Sequence, residues 1–234
     1  MALPLEQVEA ILAGRGRILV DRSNEPVARS HDIRTSPEMY GQGGDANYFV
    51  CRAVVGTGQL KFFTLEGMGS VVNAISVAYF GDMFTIGKLK APGYIHSDGF
   101  AGCSFYLYRG MDHELWGVHA SREAGKVKDP EQYFTARGFK LLWQWNSFEK
   151  QSATQLNAGN FAAVLCCVDL EEIRCYAMSM QGDVVDAILD GTTINNWRRF
   201  ERAHMTPPSS LAPVYVAPVY RATRLQRLAR AVGL

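Results

Sequence analysis

From Cys103 to His119 the chain reads Cys-Ser-Phe-Tyr-Leu-Tyr-Arg, then Gly-Met-Asp, then His-Glu-Leu-Trp-Gly-Val-His, and this order constrains the fold more than any other stretch. Aromatic and apolar residues in a short run suit a pleated surface. Gly99 and Gly102 just before it permit a sharp, close-packed approach, and Gly110-Met111-Asp112 is turn chemistry. The stretch predicts a β-hairpin with Cys103 at the first position of one strand and His119 at the end of the other. Pairing then fixes the chemistry. A three-residue loop that pairs Arg109 with His113 also pairs Cys103 with His119 on one face, whereas a two-residue loop at Met111-Asp112 places His119 opposite Ser104. Directly facing residues have Cβ atoms about 4.5 to 5.5 Å apart, so an imidazole reaches a thiol, as a cysteine nucleophile requires of its base. His113 sits beside the turn, a strand's length from Cys103, and His96 lies ahead of the loop; both rank behind His119.

Around this hairpin the chain reads as a series of short strands with helices towards the ends. Pro4 to Ala13 predicts a helix stopped by Gly14. Residues 21 to 46 are polar and turn-rich, an irregular surface segment. Tyr48 to Val55 and Leu60 to Leu65 read as strands joined at Gly56-Thr57-Gly58. Val71 to Phe80 suits a buried strand or a short buried helix, which periodicity alone does not separate. Met83 to Leu89 and Tyr94 to His96 follow as strands, Pro130 to Arg137 as a helix stopped by Gly138, and Phe139 to Trp145 as a strand with Trp143 and Trp145 on one face. Phe161 to Leu170 and Ile173 to Met178 predict a strand pair, and Asp183 to Leu189 and Ile194 to Ala203 two closing helices. The expected class is α+β, a central, mostly antiparallel β-sandwich flanked by helices, with a terminal basic helix.

Length and content allow one substantial core: 234 residues, 47% of them hydrophobic. The expected organisation is a single domain over 1–205 and a proline-rich connector with a basic amphipathic helix over 206–234. Pro207, Pro208, Pro213 and Pro218 keep that connector out of any central strand. Arg221, Arg224, Arg227 and Arg230 occupy the terminal segment with no acid, so the net charge of +1 leaves the rest of the chain net negative. A nucleic-acid partner is therefore not expected, and membrane contact is expected only through the 221–232 helix, which otherwise docks on the acidic body. Five cysteines, an odd number, lie mostly in apolar runs, and no signal peptide is recognised; reduced thiols and cytosolic synthesis are the expectation.

Metal and phosphate chemistry find little support. His96, Cys103, His113 and His119 offer ligand types but no Cys-x-x-Cys pair, and Gly117 stands where a His-Glu-x-x-His helix beginning at His113 would need its second histidine. Gly67-Met68-Gly69 lacks the third glycine of a dinucleotide loop, and no Gly-Lys-Ser/Thr occurs. No metal or cofactor is expected. A Cys103 thiolate kept ionised by a His119 imidazolium is the expected nucleophile, with oxyanion donors from the backbone N–H groups of Cys103 and its neighbours in the Gly99–Gly102 loop, Gly102 first among them.

Ala101-Gly102-Cys103, followed by a hairpin that closes in Gly117-Val118-His119, resembles the catalytic hairpin of the cytotoxic necrotizing factor family of protein glutamine deamidases. There a Ser-Gly-Cys opens one strand and a Val-His closes the next at nearly the same separation. The stretch is also similar to the smaller bacterial lethal-factor toxins of that fold, in which a hydroxyl residue lies six before the cysteine, the position of Ser97 here. Ala101 replaces the serine those toxins usually carry. The resemblance implies a helix-flanked β-sandwich and a Cys-His thiol mechanism in which Ser97 orients His119. It further implies a glutamine on a host regulatory protein, such as a small GTPase or a translation factor, as substrate. A bacterial effector so described is made without a signal peptide and delivered to the host cytosol. Two other readings stay open: a non-enzymatic interaction or adaptor module, and a different Cys-His amide hydrolase, either protease or transglutaminase.

Overall fold

A computed structural model describes residues 3–21, 44–45, 48–63, 72–79, 84–89, 92–121, 130–147 and 161–198. Eight strands form a closed barrel in the order β1 (Arg17–Asp21), β13 (Val184–Asn195), β12 (Glu172–Gln181), β11 (Phe161–Val168), β7 (Gly93–Phe100), β5 (Val72–Val77), β3 (Tyr48–Gly56), β4 (Gln59–Phe63). Parallel pairing of β4 with β1 closes the ring, and β5 with β7 is also parallel. Four antiparallel strands, β10 (Lys140–Asn146), β8 (Ser104–Arg109), β9 (Leu115–Ala120) and β6 (Phe84–Leu89), build a second sheet, edged by the two-residue β2 (Gly44–Asp45).

Alternation along the strands shows how barrel and sheet share a wall. In β11, Ala162, Val164, Cys166 and Val168 join the core between barrel and sheet, while Ala163, Leu165 and Cys167 join the core inside the barrel. A strand buried on both faces is expected to read as a continuous apolar run, as Phe161 to Val168 does. β7 alternates likewise, with Ile95 and Phe100 towards the sheet and Tyr94 towards the barrel interior. Gly117 lets the layers approach closely, since a Cβ there would lie 2.7 Å from Ile95 Cγ2 of the barrel, besides 3.3 Å from Phe105 Cζ of its own sheet.

Helix α1 (Leu5–Ala13) packs Val8, Ile11 and Leu12 against the barrel core. Burying three such side chains stabilises by roughly 1.5 to 3 kcal/mol each. Glu9 anchors it, accepting from Tyr176 Oη at 2.7 Å and Arg174 Nη1 at 2.8 Å. On the outer face of the second sheet, Phe134 of the short helix α2 (Pro130–Thr135) stacks on Tyr108 with ring centroids 4.4 Å apart.

Several expectations change. The sandwich flanked by helices is instead a barrel packed on a sheet, with α1 and α2 the helices among the described residues. The closing helix expected from Asp183 is the long strand β13, which pairs with β12 along its whole length after a turn at Gly182, φ +60°. Val184, Val185, Ile188, Thr192, Thr193 and Ile194 are β-branched, and that stiffness together with the ladder outweighs the apparent helical spacing. The second expected helix, 194–203, begins inside that same strand; its residues from 199 lie outside the described residues. Val72–Val77 is a strand, and β1 was not anticipated. The irregular segment expected over 21–46 lies outside the described residues apart from Asp21, Gly44 and Asp45, and the 206–220 connector and the 221–232 helix lie wholly outside them.

Candidate active site

The hairpin forms, in a different register. Arg109 faces Leu115, so five residues, Gly110 to Glu114, make the turn, with Gly110 N–H donating to Glu114 O at 2.9 Å and His113 at φ +57°. His119 consequently faces Phe105 rather than Cys103. The slip from the expected pairing is two positions, an even number, so His119 keeps the same face. Cys103 precedes β8 rather than opening it; continued by one step, the ladder brings Cys103 opposite Ser121 and makes it the diagonal neighbour of His119, at about 7 Å between backbones. Cys103 belongs to the core between barrel and sheet and is 8% exposed.

His119 is 1% exposed and packed on every side. Its ring stacks on Phe100, centroids 4.0 Å apart and planes 7° from parallel, and Tyr79 tilts against it at 5.4 Å. Ser97 Oγ lies 2.9 Å from His119 Nδ1 and 2.8 Å from Val77 O. A hydroxyl has one proton to give. Since the Val77 carbonyl only accepts, Ser97 donates to it and receives the Nδ1 proton of His119. Nε2 is then the bare nitrogen, buried and without a hydrogen-bond partner among the described residues. Burial pushes the imidazole down to about 3, with the nearby Asp98 carboxylate pulling the other way. The ring is therefore neutral at pH 7, and the expected imidazolium is not the resting form.

A residue unsuspected from sequence holds the cysteine turn. Ser147, fully buried, accepts from Gly102 N–H at 2.8 Å and donates through Oγ to Cys103 O at 2.8 Å, while its own N–H donates to the same carbonyl at 3.1 Å. Gly102, at φ +126°, adopts a backbone that suits glycine, and its N–H, one of the two expected oxyanion donors, is engaged in this clamp. Nothing in the local sequence marks Ser147, because its partners lie more than forty residues away.

The rival histidines lie elsewhere. His96 bonds Ser76 Oγ through Nδ1 at 3.1 Å and lies against Phe62 of the barrel core, while His113 sits in the hairpin turn. Among the described residues no three His, Cys, Asp or Glu side chains gather as a metal site. Cys166 and Cys175 face each other across β11 and β12, and burial pushes the Cys166 and Cys167 thiols up, which keeps them protonated.

Comparisons with protein-family models, with curated proteins and with solved structures find no match to this chain.

Proposed function

We propose that the chain is a cysteine-dependent amide hydrolase, a protein glutamine deamidase acting on a host regulatory protein, with Cys103 as nucleophile, His119 as base and Ser97 orienting the base. One observation carries this reading: Ser97 fixes the Nδ1 proton of His119, which leaves Nε2 as a bare base on the face that carries Cys103. Nε2 takes the thiol proton as sulfur attacks the side-chain carboxamide carbon of glutamine. The Cys103 N–H serves the developing oxyanion. The imidazolium returns its proton to the departing ammonia. Water, deprotonated by the same nitrogen, then cleaves the thioester to give glutamate and the free thiol. Burial weakens His119 as a base, so the reading requires its surroundings to become more hydrated when substrate docks.

The same burial favours a second reading, in which His119 is a neutral strut between barrel and sheet and the chain is a non-enzymatic binding module. The two part in one experiment. Incubation of the full chain with host-cell lysate, read by mass spectrometry, is expected to convert a glutamine of one protein to glutamate, with His119→Ala lowering the rate by about 10²- to 10⁴-fold. Conversion undiminished in Cys103→Ser removes the enzymatic reading. Added primary amine incorporated at the same glutamine would mark a transglutaminase, and backbone cleavage a protease.

A further inference from the structure

Two thiols that the Cys103–His119 chemistry does not use lie against each other in the wall that barrel and sheet share. Cys166 of β11 and Cys175 of β12 are directly opposed in the ladder, both fully buried and both in the core between barrel and sheet. The turn that closes this hairpin fixes the geometry of the pair. Asp169 N–H donates to Glu172 O at 2.9 Å, so Asp169 and Glu172 are a hydrogen-bonded pair. Bonded and non-bonded pairs alternate along an antiparallel ladder, and β11 pairs with β12 without a register shift. Val168–Ile173 is therefore non-bonded, Cys167–Arg174 bonded and Cys166–Cys175 non-bonded. Non-bonded partners have Cα atoms about 4.5 Å apart, inside the roughly 4.4 to 6.8 Å that a disulfide spans. The sulfurs are in reach of each other as well: burial first, and then a hydrogen bond between these two thiols, push Cys166 up.

The adjacent Cys167 belongs to the core inside the barrel, on the opposite face of β11, and among the described residues no third ligand joins the pair as a metal site. We infer that Cys166 and Cys175 form a disulfide under oxidising conditions, a covalent modification that staples β11 to β12. With a small-molecule disulfide as oxidant, one cysteine loses its proton to solvent and its thiolate attacks an oxidant sulfur, which breaks that S–S bond and releases one thiolate. The second cysteine, deprotonated in turn, attacks the protein sulfur of the mixed disulfide and releases the other half. Two protein thiols lose two electrons and two protons, and the oxidant is reduced to two thiols. Trp197 Nε1 donates to Asp169 O at 2.9 Å and Asn196 N–H to Glu171 O at 2.7 Å, and these bonds hold the hairpin end shut over the sulfurs. The exchange therefore proceeds when that end opens, since a buried thiol is inert in the closed fold.

Incubation of the full chain with oxidised glutathione at neutral pH, continued until its free-thiol content is constant and followed by tryptic mass mapping without reduction, tests it. Cleavage after Arg174 puts the two cysteines on separate peptides. These peptides are expected to be joined with the loss of two hydrogens, and fragment ions between Cys166 and Cys167 are expected to place the bond at Cys166 without any substitution. Urea below the unfolding transition is expected to speed the joining at least tenfold, and the oxidised chain to unfold at a higher urea concentration than the reduced one, reverting with dithiothreitol. Cys166→Ala is expected to abolish the joined peptides and Cys167→Ala to keep them, with near-UV circular dichroism confirming that each variant folds. No joined peptides at constant thiol content, glutathione left on Cys166 or Cys175 as the end product, a bond placed at Cys167, or an oxidised chain less resistant to urea would each overturn the inference. Cys103→Ser is expected to form the same bond, which separates this result from the fate of the deamidase reading.

Discussion

Ser97 and His119 meet between barrel and second sheet, Oγ to Nδ1 at 2.9 Å, and the carbonyl of Val77 decides which of them donates. Ser97→Ala removes the acceptor of the Nδ1 proton and the donor to Val77 in a fully buried place. The expected cost is about 1 to 3 kcal/mol, since a buried polar group left unpaired loses its hydration without replacement. Urea denaturation at pH 7 measures it; a change below 0.5 kcal/mol, the order of an ordinary surface substitution, would contradict the hydrogen bond's weight.

Stability is expected to depend on pH through His119. Its folded value, about 3, lies below the ordinary 6.5, so between these the unfolded chain binds the extra proton and stability rises with pH. The stabilisation is complete above pH 6.5 and falls as the pH drops towards 3, by roughly 5 kcal/mol over the whole window. His119→Asn, whose amide nitrogen approximates the place of Nδ1, is expected to flatten that slope in denaturation curves taken from pH 4 to 8.

Thiol labelling separates the cysteines. Cys103 is 8% exposed and held at a turn, while Cys166, Cys167 and Cys175 are at 1% or less within the strands. Iodoacetamide on the native chain is expected to modify Cys103 at least tenfold faster than these three, by peptide mass mapping. Ser147→Ala, which frees Gly102 N–H and Cys103 O from their clamp, is expected to speed that labelling further.

Gly117→Ala tests the contact between the layers. The added methyl would lie 2.7 Å from Ile95 Cγ2, which is anchored on β7 and cannot swing aside. Overpacking of this kind costs about 1 to 3 kcal/mol, read as a lower denaturation midpoint with an unchanged slope.

Much of the strand content was legible because turn chemistry is local: Gly56-Thr57-Gly58 and the Gly138 stop mark boundaries wherever the chain ends up in space. β13 was not legible as a strand, since an apolar stretch of that length suits either period and only its ladder with β12 selects one. The hairpin register was misread by two positions because the left-handed His113 allows a five-residue turn that its residue types do not announce.

What the residues determined alone was the hairpin itself; that its turn has an odd length, which keeps His119 on the face expected from a three-residue loop, was fixed only by the pairing of β8 with β9. Tertiary structure decided the remainder: barrel closure by β1 and β4, the clamp from Ser147, and the neutral state of His119. Each of these depends on groups far apart in sequence, and desolvation of an imidazole is a property of everything packed around it rather than of its neighbours along the chain.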